Sequence, residues 1–254
     1  MFNYTPADDL LHDRVILVTG AGAGIGRTAA YFYAKYGATV ILLGRTIRKL
    51  ESIYDEIEAA GYSQAAIYPM NLEGATPKDY RDLADNLHHE FGRLDGILHN
   101  AAILGSLTPL AHYDIEQWYR VMQVNCHAPF MLTQACLGLL KQSEDAACVF
   151  TSDCVARQGK AYWGAYGAAK AAMNNLMQCW ADELEINTHI RVNSIEPYPV
   201  PTALRLQAFP GEDDKSLPSV ASLMNAYLYL IGPDSQTIHG KILWFNGDDV
   251  ELKG

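Results

Sequence analysis

The sequence predicts an α/β fold, a doubly wound seven-stranded parallel sheet flanked by helices. Two observations carry this: short apolar, β-branched runs alternate with helical stretches along most of the chain, and a glycine-rich turn joins the first run to the first helix. Residues 14–19 (Arg-Val-Ile-Leu-Val-Thr) read as a strand buried on both faces. Residues 29–36 place alanines and aromatics at helical spacing, 39–43 are a second strand, and 48–60 a second helix with Leu50, Ile53 and Ile57 on one face. Strand, helix and strand in so short a span form a βαβ unit with parallel strands. The alternation continues with a strand at 65–70, a helix at 80–91, a strand at 94–99, helices at 115–124 and 130–141, a strand at 147–152, a helix at 165–185 and a strand at 189–195. Residues 196–217 have no period and contain Pro197, Pro199, Pro201 and Pro210; so long an irregular stretch is expected to be functional. A helix at 220–231 and a strand at 241–245 complete the sheet.

No Pro/Gly/Ser-rich linker or charge block divides the 254 residues, so 1–254 is expected to be a single domain. With 29 acidic against 19 basic side chains the formal charge is -10, which disfavours nucleic acid or an anionic membrane as partner. The start, Met1-Phe2-Asn3-Tyr4-Thr5-Pro6, lacks the basic flank and apolar run of a secretory signal. Cys126, Cys136, Cys148, Cys154 and Cys179 are odd in number and show no CxxC pair, as expected of reduced thiols in a cytoplasmic protein. His88 and His89 have no further ligand at metal-binding spacing, and no metal site is expected.

Thr19-Gly20-Ala21-Gly22-Ala23-Gly24-Ile25-Gly26 follows the first strand and opens the first helix. Glycines there permit positive φ and close approach of a pyrophosphate, whose charge the helix N-terminus attracts. Placed inside a βαβ unit, the turn points to a Rossmann dinucleotide site. The second strand ends in Leu43-Gly44-Arg45. An acidic side chain there would take the ribose hydroxyls of NAD(H); Arg45 instead suits a 2'-phosphate, with Thr46 and Arg27 as helpers. NADP(H) is therefore the preferred cofactor, NAD(H) the lesser one.

Tyr166 and Lys170 lie four residues apart, on one helix face. A phenol is a poor acid–base group at neutral pH, and a neighbouring ammonium lowers its pKa. With the glycine turn and Tyr166-Gly-Ala-Ala-Lys170, the sequence resembles the short-chain dehydrogenase/reductase family over residues 14–248, in particular a bacterial NADP-dependent branch with an Arg-Gln-Gly segment, here Arg157-Gln158-Gly159. The family's TGxxxGxG falls on Thr19, Gly20, Gly24 and Gly26, its Asn-Ala-Gly on Asn100-Ala101-Ala102, and its catalytic-network asparagine on Asn125. The resemblance implies that Tyr166 donates a proton to a carbonyl oxygen as hydride reaches carbon, that Lys170 also holds the nicotinamide ribose, and that Asn125 holds a relay water. It further implies a cofactor site of Gly20, Gly22, Ala23, Gly24, Ile25, Gly26, Arg45, Thr46, Asn71, Leu72, Asn100, Ala101, Tyr166, Lys170, Pro197 and Thr202. A small-molecule carbonyl or alcohol substrate is expected under 196–217, with Tyr198, Leu204, Leu206 and Phe209, and Leu104, Leu107, Gln158 and Trp163 beside them. The family also implies a homodimer or homotetramer, for which Phe130, Leu132, Trp180 and Trp244-Phe245 are candidate contacts.

The family places a substrate-orienting serine thirteen residues before the tyrosine, and that count reaches Asp153, next to Ser152. An ionised Asp153 would hold the phenol neutral, against Lys170. Three outcomes stay open: Ser152 takes the role; Asp153 is protonated, or paired with Lys170 or Arg157, and holds a substrate with a donor; or catalysis is weak. Tyr198 also stands where the family has a glycine, and Asn71 where it has an aspartate. Two functions follow, an NADPH-dependent oxidoreductase and, as alternative, a catalytically weak or inactive NADP(H)-binding regulatory or assembly protein. A pocket closed by Tyr198 favours the second, an open cleft reaching Tyr166 the first.

Overall fold

The computed structural model describes residues 3–246 and 249–253. Strands β1 (Val15–Thr19), β2 (Thr39–Gly44), β3 (Ala65–Pro69), β4 (Gly96–His99), β5 (Ala146–Thr151), β6 (Ile190–Glu196), β7 (Ile242–Asn246) and β8 (Asp249–Lys253) form one sheet in the order β3-β2-β1-β4-β5-β6-β7-β8. All neighbours from β3 to β7 pair in parallel, whereas β8 runs back along β7 and sets Leu252 opposite Leu243 and Glu251 opposite Trp244. The sheet is thus mixed and eight-stranded, which corrects the seven-stranded parallel expectation. Asp249-Val-Glu-Leu-Lys253 alternates apolar with charged side chains over too few residues to stand out, and its strand character comes from pairing with β7.

Helices α1 (Gly24–Lys35), α2 (Ile47–Ala59), α3 (Pro77–Phe91), α4 (Ile115–Met122), α5 (Ala128–Leu140), α6 (Gly164–Leu184), α7 (Ala203–Ala208) and α8 (Met224–Ile231) connect the strands. Side chains alternate across β1: Ile16 and Val18 pack with α1, α2 and α8 through Ala29, Tyr33, Ile53 and Leu228, while Val15 and Leu17 face Leu83 of α3, Leu132 of α5 and Met177 of α6. Helices cover both faces for that reason. The first helix begins at Gly24, earlier than apolar spacing suggests, because its opening glycines are poor helix formers that the turn requires. Between α4 and α5 the chain passes through a π turn, Gln123–His127, where two separate helices are expected from sequence. Residues 196–217 are less irregular than the prolines imply: Thr202 caps α7 by accepting from Arg205 N at 3.1 Å, and a short 3-10 turn spans Asp214–Ser216.

Two opposite edges of the sheet differ in character. At the amino edge, Asp145 binds both Arg14 (3.0 Å) and the buried Arg191 (3.1 Å), and Arg191 also donates to Ser235 Oγ and to the carbonyls of Leu230 and Gly232. These bonds satisfy the buried guanidinium and tie the end of α8 to β5 and β6. At the carboxyl edge the loops part between β1 and β4, where the strand order reverses, and leave a crevice.

Candidate active site

A cleft of about 910 Å³ runs along the carboxyl edge from the β2–α2 turn to α6 and α7. Gly20, Gly22, Ala23, Gly24 and Ile25 line one end. Gly20 and Gly24 hold φ of +69° and +55°, which other residues adopt reluctantly. Gly26 is not on the wall; a Cβ there would come within 2.5 Å of both Asn100 Nδ2 and the Gly20 carbonyl oxygen, so it is needed where α1 packs against the turn. No side chain caps the α1 N-terminus at Ala23, which leaves its first-turn N–H groups for a ligand. Thr19 Oγ1 accepts from the N–H groups of Asn100 (2.9 Å) and Ala101 (3.1 Å), fixing the β4 loop against the glycine turn.

Arg45 and Thr46 line the same end, with Asn71 and Leu72 opposite. Among the described residues the exposed Arg45 guanidinium has no hydrogen bond or ion pair, whereas Arg27, the expected helper, is paired with Glu56 on α2. Asn71 Oδ1 accepts from Glu73 N at 3.3 Å, an Asx turn that shapes the loop after β3.

Ser152, Asp153, Tyr166, Lys170 and Pro197 line the other end, and Thr202 packs against Gly24 on the same wall. Tyr166 is 5% exposed, and its hydroxyl donates to Asp153 Oδ2 over a long 3.4 Å. Burial pushes the Tyr166 phenol well above its ordinary pKa, and the Asp153 carboxylate pushes in the same direction. Lys170 is fully enclosed and donates to the Thr151 carbonyl at 2.6 Å, with its nitrogen 5.7 Å from the Tyr166 ring centre. Desolvation brings the ammonium down to about 8, and the Asp153 charge offsets part of that. Arg157 does not pair with Asp153: it forms a two-pronged bond to buried Glu196 (2.7 and 2.9 Å) and stacks 4.1 Å from the Trp244 ring, whose ring centre also lies 3.5 Å from Lys253 Nζ. Asp153 Oδ1 accepts from Val155 N at 3.1 Å. Ser152 Oγ is buried without a partner among the described residues.

Asn125 is absent from the cleft wall. Sitting in the π turn and fully buried, it donates to the Ile103 carbonyl (2.8 Å) and accepts from Ile103 N (2.9 Å). Its side chain is thereby spent on holding the loop after β4. Tyr198 leaves the cleft open: its ring packs edge-on against Phe245 at 5.0 Å and its hydroxyl donates to Ser222 at 2.8 Å. Leu204, Phe209 and Trp163 face the cleft, but Leu206 is exposed and Leu104, Leu107 and Gln158 lie off its wall. Sequence reasoning passed over Lys49, which lines the cofactor end from the first turn of α2, four residues after Arg45, and Glu196, the buried acid that ends β6. The i, i+4 spacing of two basic residues was a usable signal for Lys49; the Glu196–Arg157 pairing had none, since the partners are far apart in the chain.

The sequence model of the short chain dehydrogenase family matches residues 14–213. The chain belongs to the short-chain dehydrogenase family. Among short-chain dehydrogenases, that from Pseudomonas syringae has a solved structure that superposes with a TM-score of 0.94 at 52% identity, over 96% of this chain and 99% of that one. The oxidoreductase YciK of Escherichia coli strain K12 is 47% identical over 234 residues, 92% of each chain. A short chain dehydrogenase from Escherichia coli CFT073, solved in complex with NADPH, superposes with a TM-score of 0.90 at 46% identity, over 96% of this chain and all of that one. Within the short-chain dehydrogenase pattern, Asp153 is the departure nearest the Tyr166 hydroxyl. No helix among the described residues is long and apolar enough to cross a membrane.

Proposed function

We propose that the protein is an NADPH-dependent oxidoreductase that moves a hydride between the nicotinamide and a carbonyl or alcohol substrate. The observation that carries this is a single open cleft joining the glycine turn and unpaired Arg45 to the Tyr166–Lys170 pair. The NADPH complex of the similar Escherichia coli CFT073 enzyme supports the choice of cofactor. The residues present fit that cofactor: an uncapped helix N-terminus takes a pyrophosphate, and Arg45, with Lys49 in the first turn of α2, takes a 2'-phosphate at the end of β2, where the sequence Leu43-Gly44-Arg45 carries no acid. NAD(H) is the lesser cofactor, since it offers Arg45 no phosphate.

When bound, the cofactor supplies the hydride. Tyr166, neutral because it is buried beside Asp153, donates its proton to the carbonyl oxygen, and the proton is restored from solvent. Lys170, held by the Thr151 carbonyl, orients the ribose and favours the transient phenolate. Ser152 Oγ, without a partner among the described residues, is a further donor on the same cleft wall. Asn125 acts through Ile103, fixing the loop that carries Asn100 and Ala101. Residues 196–217, with α7 in their middle, cover the substrate end, where Trp163 and Phe209 receive an apolar body. Replacing Tyr166 with Phe should lower carbonyl reduction about 10²–10⁴-fold while leaving NADPH affinity within a few fold. Loss of nicotinamide fluorescence with a panel of ketones and aldehydes reads this, and unchanged turnover in the variant would remove Tyr166 from the mechanism.

The same reading includes a homodimer or homotetramer formed through α5 and α6. Phe130, 36% exposed, stacks on Trp180 at 6.2 Å and gives these helices an aromatic outer patch, whereas Leu132 and Phe245 belong to the core. Light scattering should find an oligomer that Phe130→Lys shifts towards monomer; a monomeric parent protein would refute it.

A further inference from the structure

The departure at Asp153 has a geometry of its own. Its Oδ1 accepts from Val155 N, its Oδ2 accepts the long bond from Tyr166, and the Cys154 thiol also bonds the carboxylate, which still leaves acceptor positions open towards the cleft. The cations within reach along the chain are engaged elsewhere, Arg157 on Glu196 and Lys170 on the Thr151 carbonyl. A carboxylate has about four acceptor positions and no donor. One that lines the cleft beside the tyrosine hydroxyl therefore repels the lone pairs of a bare carbonyl and attracts a hydroxyl or amine. We infer that Asp153 is a specificity-determining residue which selects carbonyl compounds bearing a hydrogen-bond donor on the carbon next to the carbonyl, of the α-hydroxy ketone class.

This rests on the oxidoreductase reading and names the substrate class for the same site. In the free protein the Tyr166 hydroxyl points at Asp153. A substrate carbonyl that takes over the Tyr166 proton deprives Oδ2 of its donor, and the neighbouring substrate hydroxyl replaces it. The two bonds thus exchange, and no polar atom is left unpaired. A ketone without that hydroxyl, or with a methyl ether in its place, offers half-buried Oδ2 no donor in exchange. Trp163 and Phe209, 5.8 Å apart on the cleft wall, accept the aromatic remainder of such a substrate. The balance of the reaction is unchanged: hydride to the carbonyl carbon, the Tyr166 proton to its oxygen.

The test is binding of α-hydroxyacetophenone and α-methoxyacetophenone to the protein–NADP+ complex, in which no hydride is available to reduce them, followed by quenching of tryptophan fluorescence from Trp163 on the cleft wall, in the parent protein, Asp153→Asn and Asp153→Ser. Thermal unfolding of each variant checks that it is folded. The parent protein should bind the hydroxy compound about 10-fold more tightly than the ether, the size expected for a hydrogen bond to a charged group. Asp153→Ser should bring that ratio to about one, and Asp153→Asn, which keeps the size and one acceptor, should leave it between the two. A ratio of one in a parent protein that binds NADPH overturns this inference and leaves the oxidoreductase reading intact. Failure to bind NADPH at all overturns both.

Discussion

Lys170 carries a cost that the rest of the site explains. Enclosure in the protein lowers its pKa from the ordinary 10.5 to about 8, so below about pH 8 the fold contains a charged amine that water would hold more readily. Between those two values the unfolded chain keeps a proton that the folded chain has released, and stability rises with pH through that window. Lys170→Met, with a similar stem and no charge, should therefore be more stable than the parent protein at pH 7, and the difference should shrink as pH climbs towards 10.5. Thermal unfolding of the pair across pH reads this, and turnover should be lost in the variant. A variant less stable at pH 7 would mean that the Thr151 bond outweighs desolvation. Tyr166 and Lys170 were legible in the sequence because four-residue spacing on a helix is a geometric statement in itself. Asp153 was legible too, as an anomaly of count, and its effect on Tyr166 has the expected direction. Its freedom from Arg157 was not, because that depends on Glu196, which only the sheet brings near.

At the scale of elements, the π turn Gln123–His127 shows how a helix interruption can position a loop. One extra residue in the turn points Asn125 inward, and both polar ends of its side chain are consumed by Ile103. Asn125→Ala should strip two part-buried Ile103 backbone groups of their partners and destabilise the protein by about 2 kcal/mol, with weaker NADPH binding as the loop holding Asn100 and Ala101 loosens. Chemical denaturation measures the first effect; a change below about 0.5 kcal/mol would show that Ile103 finds other partners. Helical periodicity located α4 and α5 but could not see the π turn, since a single added residue barely alters the pattern. β8 was missed for a related reason: Val250 and Leu252 are too few to announce a strand, and pairing with β7 supplies what local propensity lacks. Strands β1, β2, β4 and β5 were readable because burial on both faces writes a mostly apolar run.

The whole molecule separates stability from function along the strand axis. Asp145, Arg14 and Arg191 lock the amino edge, while the carboxyl edge holds the cleft where loops from six strands meet. Despite a formal charge of -10, that cleft gathers Arg45, Lys49, Arg157, Lys160, Lys170 and Arg205 on its wall, so an anionic cofactor enters a locally basic channel in an acidic protein. Glu196 and Glu212 neutralise two of these, Arg157 and Arg205, while Arg45 and Lys49 stay without an ion pair among the described residues at the end where a 2'-phosphate would sit. The measurement that bears most directly on this account is titration of the purified protein with NADPH and with NADH, following nicotinamide fluorescence, alongside Arg45→Glu. NADPH should be preferred by at least about 10-fold, as loss of a charged hydrogen-bonded contact implies, and the preference should disappear or reverse in the variant. Equal affinity for the two cofactors, unaltered by Arg45→Glu, would contradict the assignment of Arg45; binding of neither would contradict the oxidoreductase itself.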